Sequence, residues 1–288
     1  MRKLLISTGT MVGRFNKYNY PVALGEIERL YSVGLCEGFE LMMLTYYYDK
    51  ADEVIWAVKS CTAPRLTIHC EKDVGTLLSD AGAFYADNKA DDGKKSYDEA
   101  VRLFTLNCEF AEKLDIHRMV LHLWGGTNSD NNIDYNISVL SSLADIAGEY
   151  GVRILIENIP SQKYDPRSNW HRLLPHIDGC GLIFDTRFGC LHAQQKEILT
   201  DKELTDKIEH IHISDFGGGY RDFEALRPIL HPGEGNVDFS ETARLLDSFG
   251  YDGTITLESP VSLEDGTWDF SKQRQTIAYL RKLFGIQR

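Results

Sequence analysis

Eight short apolar runs, separated by segments of helical character, set the tightest limit on how this chain folds. They fall at residues 4–7, 38–42, 65–69, 118–122, 152–157, 181–185, 210–213 and 253–258. Most are four to six residues long and rich in Val, Ile, Leu and Phe. Continuous apolar runs of this length suit strands buried on both faces of a parallel sheet.

The intervening segments carry a helical period. Residues 27–31 belong to the first helix, 52–60 to the second, 97–114 to the third and 133–150 to the fourth. Residues 240–249 and 272–283 close the series. The third is the clearest, because Ala100, Leu103, Phe104, Cys108, Ala111 and Leu114 fall on one stripe. Gly151 and Gly250 stand just ahead of the next strand, as helix-ending residues do. Strand and helix alternate throughout, which implies parallel strands joined by right-handed crossovers. Eight such units in 288 residues predict one (β/α)8 TIM barrel over residues 1–288, since that fold needs ~250 residues. Ser7-Thr8-Gly9-Thr10 after the first strand is not the glycine-rich turn of a dinucleotide-binding sheet. Residues 71–95 exceed an ordinary βα connection and read either as a surface insertion or as a mobile flap over the site.

The unusual polar residues share one place in this pattern. Ile154-Leu155-Ile156 runs into Glu157-Asn158, Leu182-Ile183-Phe184 into Asp185, and Ile255-Thr256-Leu257 into Glu258. His210-Ile211-His212-Ile213 alternates imidazole with apolar side chains. Each marks the C-terminal end of a strand, where barrel active sites sit. The steps from Glu157 to Asp185 and from Asp185 to His212 are 28 and 27 positions, one βα unit each. The step of 46 to Glu258 holds one unit with an extended glycine-rich loop over 216–232. Three carboxylates brought to one poorly solvated place repel by several kcal/mol at ~4 Å, so protons or a cation must neutralise them. Three oxygen donors and one imidazole make a hard site for a single divalent ion, Mn²⁺ or Mg²⁺ first and Co²⁺ or Zn²⁺ next. The metal ligands predicted are therefore Glu157, Asp185, His212 and Glu258.

These segments, taken in order, resemble the sugar isomerase/epimerase superfamily. These xylose isomerase-like barrels also include endonuclease IV, hydroxypyruvate isomerase, inosose dehydratase and the ketose 3-epimerases. Gly38-Phe39-Glu40-Leu41, Ile156-Glu157-Asn158, Phe184-Asp185-Thr186 and His210-Ile211-His212-Ile213-Ser214-Asp215 carry the likeness. Pro232-Gly233-Glu234-Gly235-Asn236-Val237-Asp238-Phe239 and Leu257-Glu258-Ser259 complete it, and it covers nearly the whole chain. The resemblance implies the same four ligands, with Glu157 and Glu258 also serving as the proton-transfer pair. It implies that the ion stabilises an enediolate next to a sugar or polyol carbonyl. His69 and His122 match positions that line the site, and Asp215, which closes the His-x-His-x-x-Asp segment, is expected among the substrate contacts.

One departure stands out. Many members carry a His three residues after the sixth-strand Asp, where this chain has Phe188. His192 or Arg187 is then expected to supply the missing polar contact. Trp124 is placed to stack on a sugar face, with Trp170 a weaker candidate, while Arg221 and His231 flank the glycine-rich loop where an anionic group would lie. The alternatives to an isomerase or epimerase are a keto-inositol-type dehydratase, a metal-dependent hydrolase like endonuclease IV, and a catalytically silent sugar-binding barrel.

Composition narrows the partners. The net charge is −12, which opposes a nucleic-acid surface built on Lys and Arg. No apolar run reaches membrane-spanning length, and Met1-Arg2-Lys3 before Leu4-Leu5-Ile6 is too short for a signal peptide, so a cytoplasmic location is expected. The six cysteines form no close pair and read as buried reduced thiols. Exposed outer helices suit a homo-oligomer.

Overall fold

A computed structural model describes residues 1–287. Among the described residues, eight parallel strands close into a barrel in chain order. They are β1 (Lys3–Ser7), β2 (Gly38–Met42), β3 (Arg65–His69), β4 (Arg118–Leu121), β5 (Arg153–Glu157), β6 (Gly181–Asp185), β7 (Ile208–Ile213) and β8 (Thr254–Leu257). The last strand returns to the first, with Lys3 to Ile6 paired in register against Thr254 to Leu257.

The outer layer follows the helical period. α1 (Tyr20–Ser32) and α2 (Ala51–Ser60) cover the first strands. α3 (Asp73–Ala86) leads into the long α4 (Ala90–Lys113), whose stripe from Ala100 to Ala111 is buried as its spacing requires. The predicted fourth helix is two, α5 (Ile133–Ser138) and α6 (Leu140–Glu149), breaking at Val139. α7 (Pro166–Leu173) follows β5; short helices α8 (Thr186–Leu191), α9 (Gln195–Thr200) and α10 (Lys202–Thr205) link β6 to β7. α11 (Phe239–Ser248) and α12 (Phe270–Leu283) complete the wall. No helix among the described residues is long and apolar enough to cross a membrane. Five of the six cysteines are buried, Cys190 is half-buried, and all are free thiols.

Residues 71–95 form neither a surface insertion nor a flap. They are helix α3 and the first turns of α4, packed against each other as a helical hairpin. Val74, Leu78 and Ala81 are buried along one face of α3. Gly75 lets this helix approach the end of β4, because a Cβ there would lie 2.5 Å from the His122 carbonyl oxygen and 2.6 Å from that of Trp124.

The strands alternate between two cores. Ile154, Ile156, Leu182, Phe184, Ile211, Ile213, Ile255 and Leu257 face outward into the large cluster beneath the helices. Val120, Leu155 and Ile183 form a separate small cluster inside the barrel. Two residues further along the same strands, on the same inward face and nearer the mouth, come His122, Glu157 and Asp185. The same parity turns His69, His212 and Glu258 inward on their own strands. It also turns Glu40, Thr67, His210 and Thr256 inward one step below the rim.

Candidate metal and active site

The inward-facing side chains at the rim meet. Ligand atoms of Glu157, Asp185 and His212 all lie within 4.8 Å of one another, as do those of His69, His212 and Glu258. His212 joins the two sets: its Nδ1 stands 3.0 Å from Oε1 of Glu157 and 3.9 Å from Oε1 of Glu258. The four residues expected to hold an ion are all buried, His212 and Asp185 completely.

The local backbone explains Asp185. It ends β6 and caps α8, its Oδ1 accepting the Phe188 N–H at 2.9 Å. Its Oδ2 is buried and has no hydrogen-bond partner. A buried carboxylate oxygen without a donor is costly, so it calls for a proton or a cation. Burial, with the nearby charges of Glu157 and Glu258, raises this carboxyl to about 7, Arg187 opposing the shift. Burial also opposes charge on His212, but Glu40, Glu258 and Glu157 outweigh it and hold the imidazole well above its ordinary value. Glu157 is held well below the carboxylate range, since His212 and His122 overcome its burial. The donor set and the orphaned oxygen fit a hard divalent cation.

A second cluster adjoins the first through Glu157. His122 Nε2 lies 2.6 Å from Glu157 Oε2, and His69 Nε2 lies 3.6 Å from the same oxygen. His69 directs Nδ1 to the Cys70 carbonyl at 2.7 Å, which assigns the proton to that nitrogen and leaves Nε2 facing Glu157. Burial lowers His122 to about 4 against the pull of Glu157, so it is neutral near pH 7. A cleft of about 300 Å³ opens beside His122, lined in part by Lys72, Pro160, Phe223 and Leu226.

Several residues expected to touch substrate are committed elsewhere. Trp124 is fully buried, its indole N–H donating to the Pro160 carbonyl at 3.3 Å, so it offers no face to a ligand. Trp170 is likewise fully buried. His192 does not replace the missing rim histidine: its Nε2 accepts the Ser161 N–H at 3.1 Å and its ring meets Phe223. Asp215 organises a loop, accepting the N–H groups of Phe216, Gly233, Gly235 and Val237 at 2.8–3.0 Å. Gly235 is required there, since a Cβ would lie 2.6 Å from Asp215 Oδ1 and 2.6 Å from the Phe216 carbonyl. Arg221 clamps the loop after β5 through the carbonyls of Tyr164, Ser161 and Gln162. His231 is half-buried with Nδ1 on the Ser259 hydroxyl. Arg187 stays near the rim, its guanidinium 4.7 Å above the Phe188 ring and its Nε without a partner.

Two residues of the site lay outside the expected set. Arg227, exposed at the rim, stands close enough to Arg187 and Glu258 to be influenced by both charges. Glu40, in the middle of β2, is fully buried and faces His210 and His212. A charged residue inside a five-residue apolar strand was the available signal for it.

Known proteins place this barrel. A curated relative, an uncharacterized protein of Methanocaldococcus jannaschii, is 31% identical over 182 residues, 57% of this chain and 59% of that protein. The inosose dehydratase of Bacillus velezensis is 26% identical over 144 residues, 46% of this chain and 48% of the relative. The chain thus spans about half the length of these relatives. Among solved structures, a D-tagatose 3-epimerase-like protein superposes with a TM-score of 0.68 at 19% identity, over 98% of each chain. The family model described as xylose isomerase-like TIM barrel matches residues 38–283, and the chain belongs to that family.

Proposed function

We propose that this protein is a divalent-metal-dependent isomerase or epimerase of a sugar or a related polyol, working by proton transfer next to a carbonyl. One observation carries the reading: two carboxylates, Glu157 and Glu258, flank the same nitrogen of His212 beside an Asp185 oxygen that has no protein partner. Glu157, Asp185, His212 and Glu258 would hold the ion. Bound there, it would act as a Lewis acid that polarises the substrate carbonyl and offsets the charge developing on its oxygen.

The chain's own groups divide the remaining work. Glu157 is ionised, and His122 holds its Oε2, which fixes the carboxylate for abstracting the proton next to the carbonyl. Glu258 stands across His212 and returns a proton, on the opposite face for epimerisation or at the neighbouring carbon for isomerisation. Arg187, whose charge reaches Asp185, and Arg227, whose charge reaches Glu258, lower the cost of the negative charge that forms. Ketoses, keto-inositols and sugar phosphates offered with Mn²⁺ or Mg²⁺ in D₂O test the reading. Deuterium entering the carbon next to the carbonyl is expected, and no exchange into any of them would overturn it.

A second reading rests on the His69, His122 and Glu157 group, whose ligand atoms also lie within 4.8 Å. A further ion there would favour metal-assisted hydrolysis. Metal analysis of the purified protein separates the two, one ion per chain for proton transfer and two for hydrolysis.

A further inference from the structure

The interior step below the rim is divided by chemistry. On β4, β5 and β6 it holds Val120, Leu155 and Ile183. On β2, β3, β7 and β8 the corresponding positions hold Glu40, Thr67, His210 and Thr256, all fully buried. A buried carboxylate pays a desolvation cost that an aliphatic residue would avoid, and replacing buried ionic groups with apolar ones is often stabilising. Stability therefore does not account for Glu40.

Its contacts do. Nε2 of His212 hydrogen-bonds Oε2 of Glu40 at 3.2 Å and lies 3.1 Å from its Oε1, while Nδ1 of the same ring faces Glu157 and Glu258. Two more groups hold that oxygen: Thr67 Oγ1 donates to Oε2 at 2.9 Å, and His210 Nε2 lies 3.2 Å from it. His210 is itself pinned between the hydroxyls of Thr254 and Thr256. We propose that Glu40 is a positioning residue for the ion site: it takes the Nε2–H of His212, fixes that tautomer, and thereby aims the Nδ1 lone pair at the cation. The arrangement is a carboxylate–histidine–metal triad in which the outer carboxylate orients the ligand and raises its basicity. Thr67 and His210 hold the carboxylate in turn.

This inference rests on the proposed ion site, and the test separates the two. Mn²⁺ and Zn²⁺ dissociation constants are measured by calorimetry on wild type, Glu40→Gln and Thr67→Val, alongside unfolding of each metal-free protein. Wild type is expected to bind one ion, Glu40→Gln to bind it about 10–100-fold more weakly, and Thr67→Val to show a smaller loss in the same direction. Long-range ¹H–¹⁵N spectra of the Zn²⁺-loaded wild type are expected to show His212 protonated at Nε2 and ligated through Nδ1. Should Glu40→Gln fail to fold, Thr67→Val and the wild-type tautomer decide. Wild-type binding with unchanged affinity in the folded variants, or ligation through Nε2, overturns the role of Glu40 and leaves the ion site standing. No ion bound by wild type overturns both. A second ion that disappears in Glu40→Gln would make Glu40 a ligand and likewise overturn the positioning role.

Discussion

The side-chain amide of Asn158 pairs with both main-chain groups of Asp185: its Oδ1 accepts the Asp185 N–H at 2.5 Å and its Nδ2 donates to the Asp185 carbonyl at 3.1 Å. The β5–β6 pairing is thereby carried one residue past Glu157, and the two rim carboxylates are set in a fixed relation. Asn158→Ala leaves both groups buried without these partners, at a cost on the order of 1–3 kcal/mol for each group. Urea unfolding of the metal-free variant is expected to show a clear drop in midpoint with an unchanged slope.

Removing either proton-transfer carboxylate tests the chemistry directly. Glu157→Gln and Glu258→Gln are each expected to lower deuterium exchange and turnover about 10²–10⁴-fold, the usual weight of a general acid or base. Circular dichroism is expected to stay native. Undiminished exchange in both variants would show that the assigned roles are wrong.

Ion uptake is expected to strengthen as pH rises. Asp185 holds its proton up to about 7, chiefly through burial, and His212 holds one well above the ordinary imidazole range. A cation must displace these protons, so each pH unit below the shifted values costs up to tenfold in affinity for each proton displaced, about 1.4 kcal/mol. Without metal, the native state keeps a proton on Asp185 that the unfolded chain sheds near about pH 4. The contribution of that carboxyl to stability therefore falls between about pH 4 and about pH 7. Calorimetric metal titrations from about pH 6 to about pH 8, in buffers of different ionisation enthalpy, read both the affinity and the protons released.

The loop after β7 depends on one carboxylate. Asp215→Ala strips the acceptor from four main-chain N–H groups between Phe216 and Val237. Limited proteolysis is expected to cut within residues 216–237 of the variant far faster than in wild type, while the barrel keeps its far-ultraviolet spectrum. Equal cleavage rates would show that the loop is held by other contacts.

The strands were legible because both of their faces are buried, so each reads as an unbroken apolar run. The predicted bounds 38–42, 65–69 and 181–185 coincide with the observed strands. Helix α3 was not legible for a physical reason. Gly75, Ser79 and Gly82 give it close packing against the β4 end and α5, and the same small residues interrupt the apolar stripe that marks a helix. The short helices α8 to α10 are too brief for a period to emerge. The rim residues Glu157, Asp185, His212 and Glu258 stood out because each lies at, or one residue from, the C-terminal end of its strand. Glu40 sits two residues before the end of β2, so that rule passed over it. Trp124 and Asp215 were expected at the ligand from position alone, which does not tell whether a side chain faces the ligand or the protein; Trp124 is buried and Asp215 holds a loop.

Glu157 presents one oxygen to His122 and the other to His212. No drift at this position can alter one neighbour while sparing the other, so it is a junction closed to gradual change. New specificity in such a barrel has to arise further out, in the segments that Asp215 and Arg221 tie down, where a residue can be exchanged without disturbing two clusters at once.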